Sequence, residues 1–380
     1  MQFSIKRDNF RNAISKIERV LLKNPSLPIL SNILIKTDKN RLVIASTNLE
    51  IAVKTFVKAK INKEGGITIP IRVVSGFLNN IKDDIIEGFV IKDEFQVKTE
   101  KHQIKIKGMS LDDYPIIPEN PEDSYIKINS KDLIENISNI LISVARNDTR
   151  QELNGVNVLF KKDRLILAST DGYRLSEVVI SLNKNNLTEE YFIFIENTPS
   201  IIIPALTFSE IQKNLTEGEI SLIIKQNQLF VGNNSTKIIS KLINGNYIDY
   251  QQILPKKYSI EVKINRNELI NALKIASLVS RDNNSEIKIS NLKNKKELEI
   301  SSYSNEAGEN ISKIAANILG DDFEILFNCN YLIDGLSVIK EEWVILKLNK
   351  EKSPALMKGL DENEKEDFKF SYIIMPIIKN

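Results

Sequence analysis

The sequence predicts an α+β chain built from three copies of one unit, each holding two helices among many strands. Three observations predict it. Ile5-Lys6-Arg7-Asp8-Asn9-Phe10, Ile128-Asn129-Ser130-Lys131-Asp132-Leu133 and Ile264-Asn265-Arg266-Asn267-Glu268-Leu269 each close an alternating strand and open an amphipathic helix. The run Leu42-Val43-Ile44-Ala45-Ser46-Thr47 recurs as Leu165-Ile166-Leu167-Ala168-Ser169-Thr170 and, more loosely, as Leu298-Glu299-Ile300-Ser301-Ser302-Tyr303. Ser46, Ser169 and Ser302 are spaced by 123 and 133 residues, about a third of the 380-residue chain. A second junction occurs in each third, where Ile67–Pro70, Ile201–Pro204 and Ile325–Asn328 precede short stretches with apolar residues at i, i+3/i+4 and i+7.

Taken in order, Met1–Lys6 alternates apolar and polar residues as a strand does, and lacks the charged head and apolar run of a signal peptide. The next segment, a helix, puts Phe10, Ala13, Ile14, Ile17, Val20 and Leu21 on one face, with Arg11, Asn12, Ser15, Lys16, Arg19 and Lys23 largely on the other. Hairpin turns are expected at Thr37–Asn40, Lys161–Asp163 and Lys293–Lys296. The second copy carries extra residues near Asn185–Ser200, expected to form a loop and an extended strand. Proline and acidic turn residues cluster from Asp112 to Asp123 and from Asp249 to Lys257, which sets domains at 1–122, 123–255 and 256–380.

Composition excludes several classes of function. Lys+Arg 52 against Asp+Glu 50 leaves a formal charge of +2, so contact with nucleic acid must come from local arrangement of charge. One cysteine, Cys329, and one histidine, His102, exclude a disulfide framework, multi-Cys zinc sites and most catalytic triads. No metal or cofactor is expected. The longest apolar stretch, near Ile201–Leu206, is short and contains Pro204, far from the roughly 18 residues of a membrane helix. A soluble cytoplasmic protein is expected.

The solvent faces of the helices are cationic and polar. Arg11, Lys16, Arg19, Lys23, Arg72, Lys82, Arg146, Lys213 and Lys274 recur on them, with acids intruding at Glu18, Glu135, Glu210 and Glu268. Repeated units arranged around one axis would aim such faces at phosphates without reading bases.

Leu27-Pro28-Ile29-Leu30-Ser31-Asn32, Leu153-Asn154-Gly155, Ser169–Leu175 and the closing Tyr372-Ile373-Ile374-Met375-Pro376-Ile377 resemble the bacterial sliding clamp family, the beta subunits of DNA polymerase III, in order along the whole chain. The resemblance implies three clamp domains, each with two helices packed on antiparallel sheets, and a head-to-tail homodimer closing as a ring around duplex DNA. It implies a processivity factor, not an enzyme, which tethers the replicative polymerase, the clamp loader and other clamp-binding repair proteins. The partner-peptide cleft it implies takes Leu153, Thr170, Gly172, Tyr173, Arg174, Leu175, Ile248, Ile253, Asn328, Tyr331, Ile373, Met375 and Pro376, with Thr170 and Arg174 expected to fix a peptide backbone. Ile104, Ile106, Leu278 and Val279 match its dimer seam. The chain departs from the pattern at Asn24, Gln151, Glu152 and Ile248, the last replacing a usual proline of the cleft.

Two other readings are open from the residues alone. An enzyme would need a gathered chemical site. The chain has no GxxxxGK, GxGxxG, GxSxG or HExxH motif, and its carboxylate pairs Asp83-Asp84, Asp112-Asp113 and Asp321-Asp322 lie in turn-like contexts. A repeat scaffold that binds proteins without DNA would differ from a clamp in topological retention on circular DNA.

Overall fold

At each of the six strand-to-helix junctions the last strand residue becomes the cap of the helix after it. The computed structural model describes all residues except 22–24, 120, 122–123, 147, 199, 281–283, 292–295, 350–351 and 379–380. The expected hairpin residues Lys293–Lys295, the boundary residues Glu122 and Asp123, and Lys23 and Asn24 therefore lie outside the described residues. The junction helices are α1 (Arg7–Ile17), α2 (Ile71–Asn80), α3 (Ser130–Leu141), α5 (Ala205–Asn214), α6 (Arg266–Ser280) and α7 (Cys329–Val338), with α4 (Glu189–Asn197) lying between the third and the fifth.

Three junctions are capped by asparagine. Asn129 Oδ1 accepts from Lys131 N (2.9 Å), Asn265 Oδ1 from Asn267 N (3.0 Å), and Asn328 Oδ1 from Asn330 N (2.9 Å), satisfying amides the helix leaves unpaired. On α1 the buried residues are Phe10, Ala13, Ile14 and Ile17, the spacing of one helical stripe. Each large side chain in that stripe contributes about 1.5–3 kcal/mol by leaving water.

The recurring Leu–Thr run has a physical cause. Its serine sits under the end of the first helix of the repeat: Ser46 Oγ donates to Ile17 O (2.6 Å), and Ser169 Oγ donates to Ile140 O. In the third repeat Ser302 is buried with no hydrogen-bond partner for its hydroxyl, in keeping with its looser match.

Helix α4 corrects the expected loop and strand. Tyr191-Phe192-Ile193-Phe194-Ile195 is composed of strand-prone residues, yet Glu189 and Glu190 occupy the first turn, Thr188 Oγ1 accepts from Tyr191 N (3.4 Å), and Tyr191 is fully buried. One buried aromatic and a favourable N-terminus outweigh β propensity. Among the described residues the second repeat thus holds three α-helices.

Strands run across the repeats, and the chain groups into two compact units. The first comprises Met1–Ile134, Asn185–Ile193 and Leu206–Leu242. It contains a 5-stranded sheet that ends on Gln103–Lys107 and an 8-stranded sheet in which Ile51–Lys58 of the first repeat pairs antiparallel with Thr236–Lys241 of the second, Val53 opposite Ile238. The second unit comprises Glu135–Lys184, Phe194–Ala205 and Ile243–Asn380. Its 12-stranded sheet repeats the arrangement one unit later: Arg174–Ser181 pairs with Phe370–Ile374, Leu175 opposite Ile373. The cores lie between these sheets and the helices, where Ile14, Ile44, Val53 and Val74 in the first unit, and Leu167, Val178, Leu273 and Leu336 in the second, are almost wholly buried.

Candidate functional site

The pairing of Arg174–Ser181 with Phe370–Ile374 leaves a shallow cleft in the second unit, lined by Thr170, Gly172, Arg174, Leu175, Ile248, Tyr250, Ile253, Leu254, Pro354, Ile373 and Met375. The turn before the first of these strands is built by its own side chains. Thr170 Oγ1 donates to Arg174 O (2.6 Å) and accepts from Gly172 N (3.0 Å), while Asp171 Oδ1 accepts from the amides of Tyr173 and Arg174 (both 3.0 Å). Gly172 has φ +91°, a conformation that favours glycine. Met375 N donates to Tyr173 O (2.8 Å), fastening the closing segment to the same turn.

Below the rim the cleft is apolar. Ala168, Leu175, Tyr250 and Ile373 form a buried cluster against which Tyr247, Leu254 and Leu356 pack. The Tyr250 hydroxyl donates to Glu177 Oε2 (2.5 Å), and burial together with that carboxylate raises its pKa well above the usual tyrosine range. Ile253 is 54% exposed and Met375 half-buried, so apolar surface is offered to solvent above an ordered floor.

Arg174 is enclosed. Its Nε donates to Asp171 Oδ2 (2.9 Å), its Nη1 to Asp334 Oδ2 (2.5 Å), and its guanidinium carbon lies 4.5 Å from the centre of the Tyr331 ring. The Tyr372 hydroxyl, which donates to Tyr331 O (2.8 Å), also bonds the guanidinium. Burial alone would weaken its hold on the proton, but Tyr372, Asp334 and Asp171 outweigh this and raise it further above the usual arginine range. The Arg174 side chain is only 13% exposed. Both side chains expected to fix a peptide backbone already have partners here, Thr170 within the turn and Arg174 in the turn and on α7.

The other cleft candidates divide. Leu153 is fully buried and lies outside the cleft lining. Tyr173 is 64% exposed and stacks on Tyr331 with ring centres 6.4 Å apart. Asn328 caps α7, and its Nδ2 donates to Asn284 O (3.1 Å), so it fixes the helix that carries Tyr331. Pro376 is buried beside Met375. Sequence reading missed Tyr250, Leu254 and Pro354, which lie in connecting segments without a periodic signal, and Asp334.

Of the cationic candidates, Arg11, Arg19, Arg72, Lys82 and Lys213 in the first unit, and Arg146 and Lys274 in the second, are exposed. Arg11 Nε donates to Asn79 Oδ1 (2.7 Å), and Lys16 is half-buried with Nζ on Thr236 Oγ1 (3.3 Å). Glu210 corrects its expected place among solvated acids. It is fully buried, Oε2 accepts from Asn214 Nδ2 (2.8 Å), Oε1 has no hydrogen-bond partner, and burial raises its carboxyl above the usual range. Glu135 is held by Lys340 (3.5 Å).

Two of the sheet edges bear on the expected seam. Gln103–Lys107 is the last strand of the 5-stranded sheet. Gly308–Leu319 pairs with Ile260–Asn265 only from Ala316 onward, leaving that side of 308–315 unpaired. Near the second edge, Ile275 and Leu278 of α6 are 50% and 64% exposed, and Ile311 is 54% exposed. Val279 is half-buried. Of the two seam candidates on this strand, Ile106 lies opposite Phe95 and is 3% exposed within its own core, and Ile104, two residues earlier, points to the same face and is half-buried. Gln103, Lys105 and Lys107 are exposed.

No helix among the described residues is long and apolar enough to cross a membrane, and none of them form a group of three or more His, Cys, Asp or Glu able to hold a metal. Family models for the DNA polymerase III beta subunit match the chain three times: the N-terminal domain at residues 1–118, the central domain at 127–249 and the C-terminal domain at 251–378. The beta sliding clamp of Staphylococcus epidermidis is 27% identical over 391 aligned residues, covering 99% of each chain, and that of Synechococcus elongatus is 23% identical with the same coverage. The solved structures of the DNA polymerase III subunit beta from Pseudomonas aeruginosa and of the DNA polymerase sliding clamp from Bacillus subtilis both superpose with a TM-score of 0.90 over the full length of both chains, at 24% and 22% identity.

Proposed function

Because the chain belongs to the DNA polymerase III beta subunit family, the bacterial sliding clamps, a family of non-enzymatic processivity factors, we propose that two copies close head to tail into a ring around duplex DNA. The ring slides without reading sequence and holds the replicative polymerase through the cleft at Arg174–Leu175 and Ile373–Met375. The clamp loader and repair proteins use the same cleft, and the protein works in the cytoplasm without a cofactor. The clamp domains are 1–122, 123–255 and 256–380.

The observation that carries this reading is the repeated sheet junction. Ile51–Lys58 meets the last strand of the second repeat, and Arg174–Ser181 meets the last strand of the third. A third application of the rule joins the open side of Gly308–Leu319 to an edge of a first repeat, and Gln103–Lys107 is such an edge. A strand edge left open is a liability that pairing removes, and a head-to-tail contact made twice closes. Exposed Ile275, Leu278 and Ile311 give that seam apolar area.

With a net charge of +2 and acids among its helix cations, the protein is expected to bind linear duplex weakly and to lose it as salt rises. A closed ring stays on a circle without tight contact. After loading by its loader with ATP, the protein should remain on nicked circular DNA through gel filtration in moderate salt and leave when one cut linearises the circle. Equal retention on both substrates would show binding by contact and overturn the clamp reading. Loss from the circle as steep with salt as loss from linear DNA would do the same.

A further inference from the structure

The enclosure of Arg174 is more elaborate than its turn requires. The first repeat makes the same turn at Thr47–Ile51: Thr47 Oγ1 donates to Ile51 O (3.0 Å) and Asn48 Oδ1 accepts from the amides of Glu50 and Ile51 (3.0 and 2.9 Å). There the position of Arg174 is taken by buried Ile51, so the turn folds without a guanidinium. The arginine must serve the cleft, and its partners show how. Asp171 is pinned by the two amides of its own turn. Tyr331 and Asp334 stand three residues apart on α7, hence on one helix face, so that one guanidinium can lie on the ring and reach the carboxylate. Beside them the aromatic surface is open to solvent, with Tyr173 stacked on Tyr331 and 64% exposed, and the Asp334 side chain is 47% exposed.

We propose that Asp334 is a positioning residue of the cleft: acting through Arg174, it holds the guanidinium over Tyr331, so that Tyr331 and Tyr173 stand as a fixed aromatic wall for a partner peptide. This inference rests on the cleft assignment of the proposed function. Asp334 does not itself touch the peptide. Without its carboxylate the guanidinium keeps Asp171 and the Tyr372 hydroxyl but loses the charged partner of Nη1 and swings on its aliphatic stem, leaving Tyr331 without a fixed cation on its face.

The test is a double-mutant cycle on the full-length protein. Its probe is a fluorescein-labelled C-terminal peptide of the replicative polymerase, followed by anisotropy. Asp334→Asn should weaken binding about tenfold, the scale of one charge-assisted hydrogen bond, and Asp334→Glu should restore most of it. In an Arg174→Ala background Asp334→Asn should add nothing. An undiminished effect in that background, or unchanged affinity in Asp334→Asn alone, overturns the inference. Nitrogen-15 NMR without peptide gives a readout independent of binding: the Arg174 Nη signals should be resolved in the wild type and averaged in Asp334→Asn, and averaging already present in the wild type overturns it. Ile253→Asp places a charge on the exposed cleft wall away from Arg174. If it fails to weaken the probe, the cleft assignment falls and takes this inference with it.

Discussion

The turn at Thr47–Ile51 and the turn at Thr170–Arg174 lie at corresponding positions of two repeats, share their side-chain hydrogen bonds, and lead into strands that pair with the next repeat in the same way. They differ in the surfaces that flank their strands. Beside the first, Ala52 and Ile239 are covered in a cluster with Ile223 and Phe230, against which Ile117 and Tyr125 pack. Beside the second, Leu175 and Ile373 floor an open cleft. Even the pin beneath is chemically reversed. Lys54 donates to the carbonyls of Ile117 and Pro118 (3.3 and 2.8 Å) in the first unit, whereas the corresponding Glu177 accepts from the Tyr250 hydroxyl. Burial pushes the Lys54 ammonium below the usual lysine range, and Glu119 only partly offsets it. Backbone architecture repeats, while function resides in the few side chains that cover a junction or leave it open.

The largest effect is expected at the third junction, the proposed seam. Replacing Leu278 and Ile311 by glutamate buries uncompensated charge at the seam and should turn a dimer into monomers at low micromolar concentration in sedimentation. An unchanged dimer mass would break the rule that the first two junctions suggest. Next, deleting Met375–Asn380, of which 379–380 lie outside the described residues, removes the segment that Tyr173 O holds by the Met375 amide. Affinity for the polymerase peptide should fall by about 1.5–3 kcal/mol per apolar side chain lost from the cleft, with the dimer intact. Equal affinity for the truncated protein would reduce the second junction to a copy of the first.

The two pins should cost less. Tyr250→Phe leaves Glu177 without its hydroxyl donor, and Lys54→Met leaves two carbonyls without theirs. Each should lower stability by about 1–3 kcal/mol in urea unfolding, and the two losses should add because the sites share no partner. Strong non-additivity would show that they are one device and not two. The smallest effect separates the turns themselves. Leu49 has φ +75° and is 43% exposed, so Leu49→Gly should stabilise the protein by a few tenths to about 1 kcal/mol, whereas Gly172→Ala, placed at φ +91°, should destabilise it by about 1 kcal/mol. Thermal unfolding of the two variants should move in opposite directions.

The junctions, the helix stripes and the Leu–Thr run were legible because each depends on residues within one or two turns of chain. The run was visible in the sequence, but its cause was not: Ser46 and Ser169 recur because each reaches a helix carbonyl 29 residues away. Helix α4 was misread because Phe192, Ile193, Phe194 and Ile195 favour strands when taken alone, while the burial of Tyr191 depends on partners elsewhere. Glu210 obeys the same logic in reverse. Its place on the helix looked solvated until α5 was packed.

By itself the sequence determined three like units, six strand-to-helix junctions, and an apolar period that assigns each helix its inner face, since hydrogen-bond geometry and side-chain spacing act over a few residues. It also carried the family through short motifs. Which strand edges meet, which junction stays open and which arginine is caged were decided only by tertiary structure. Arg174 and Asp334 stand 160 residues apart, and Lys54 lies 63 residues before the carbonyl of Ile117. No local period records such pairs; they come into contact because sheets extend across repeats and bring distant side chains onto one surface.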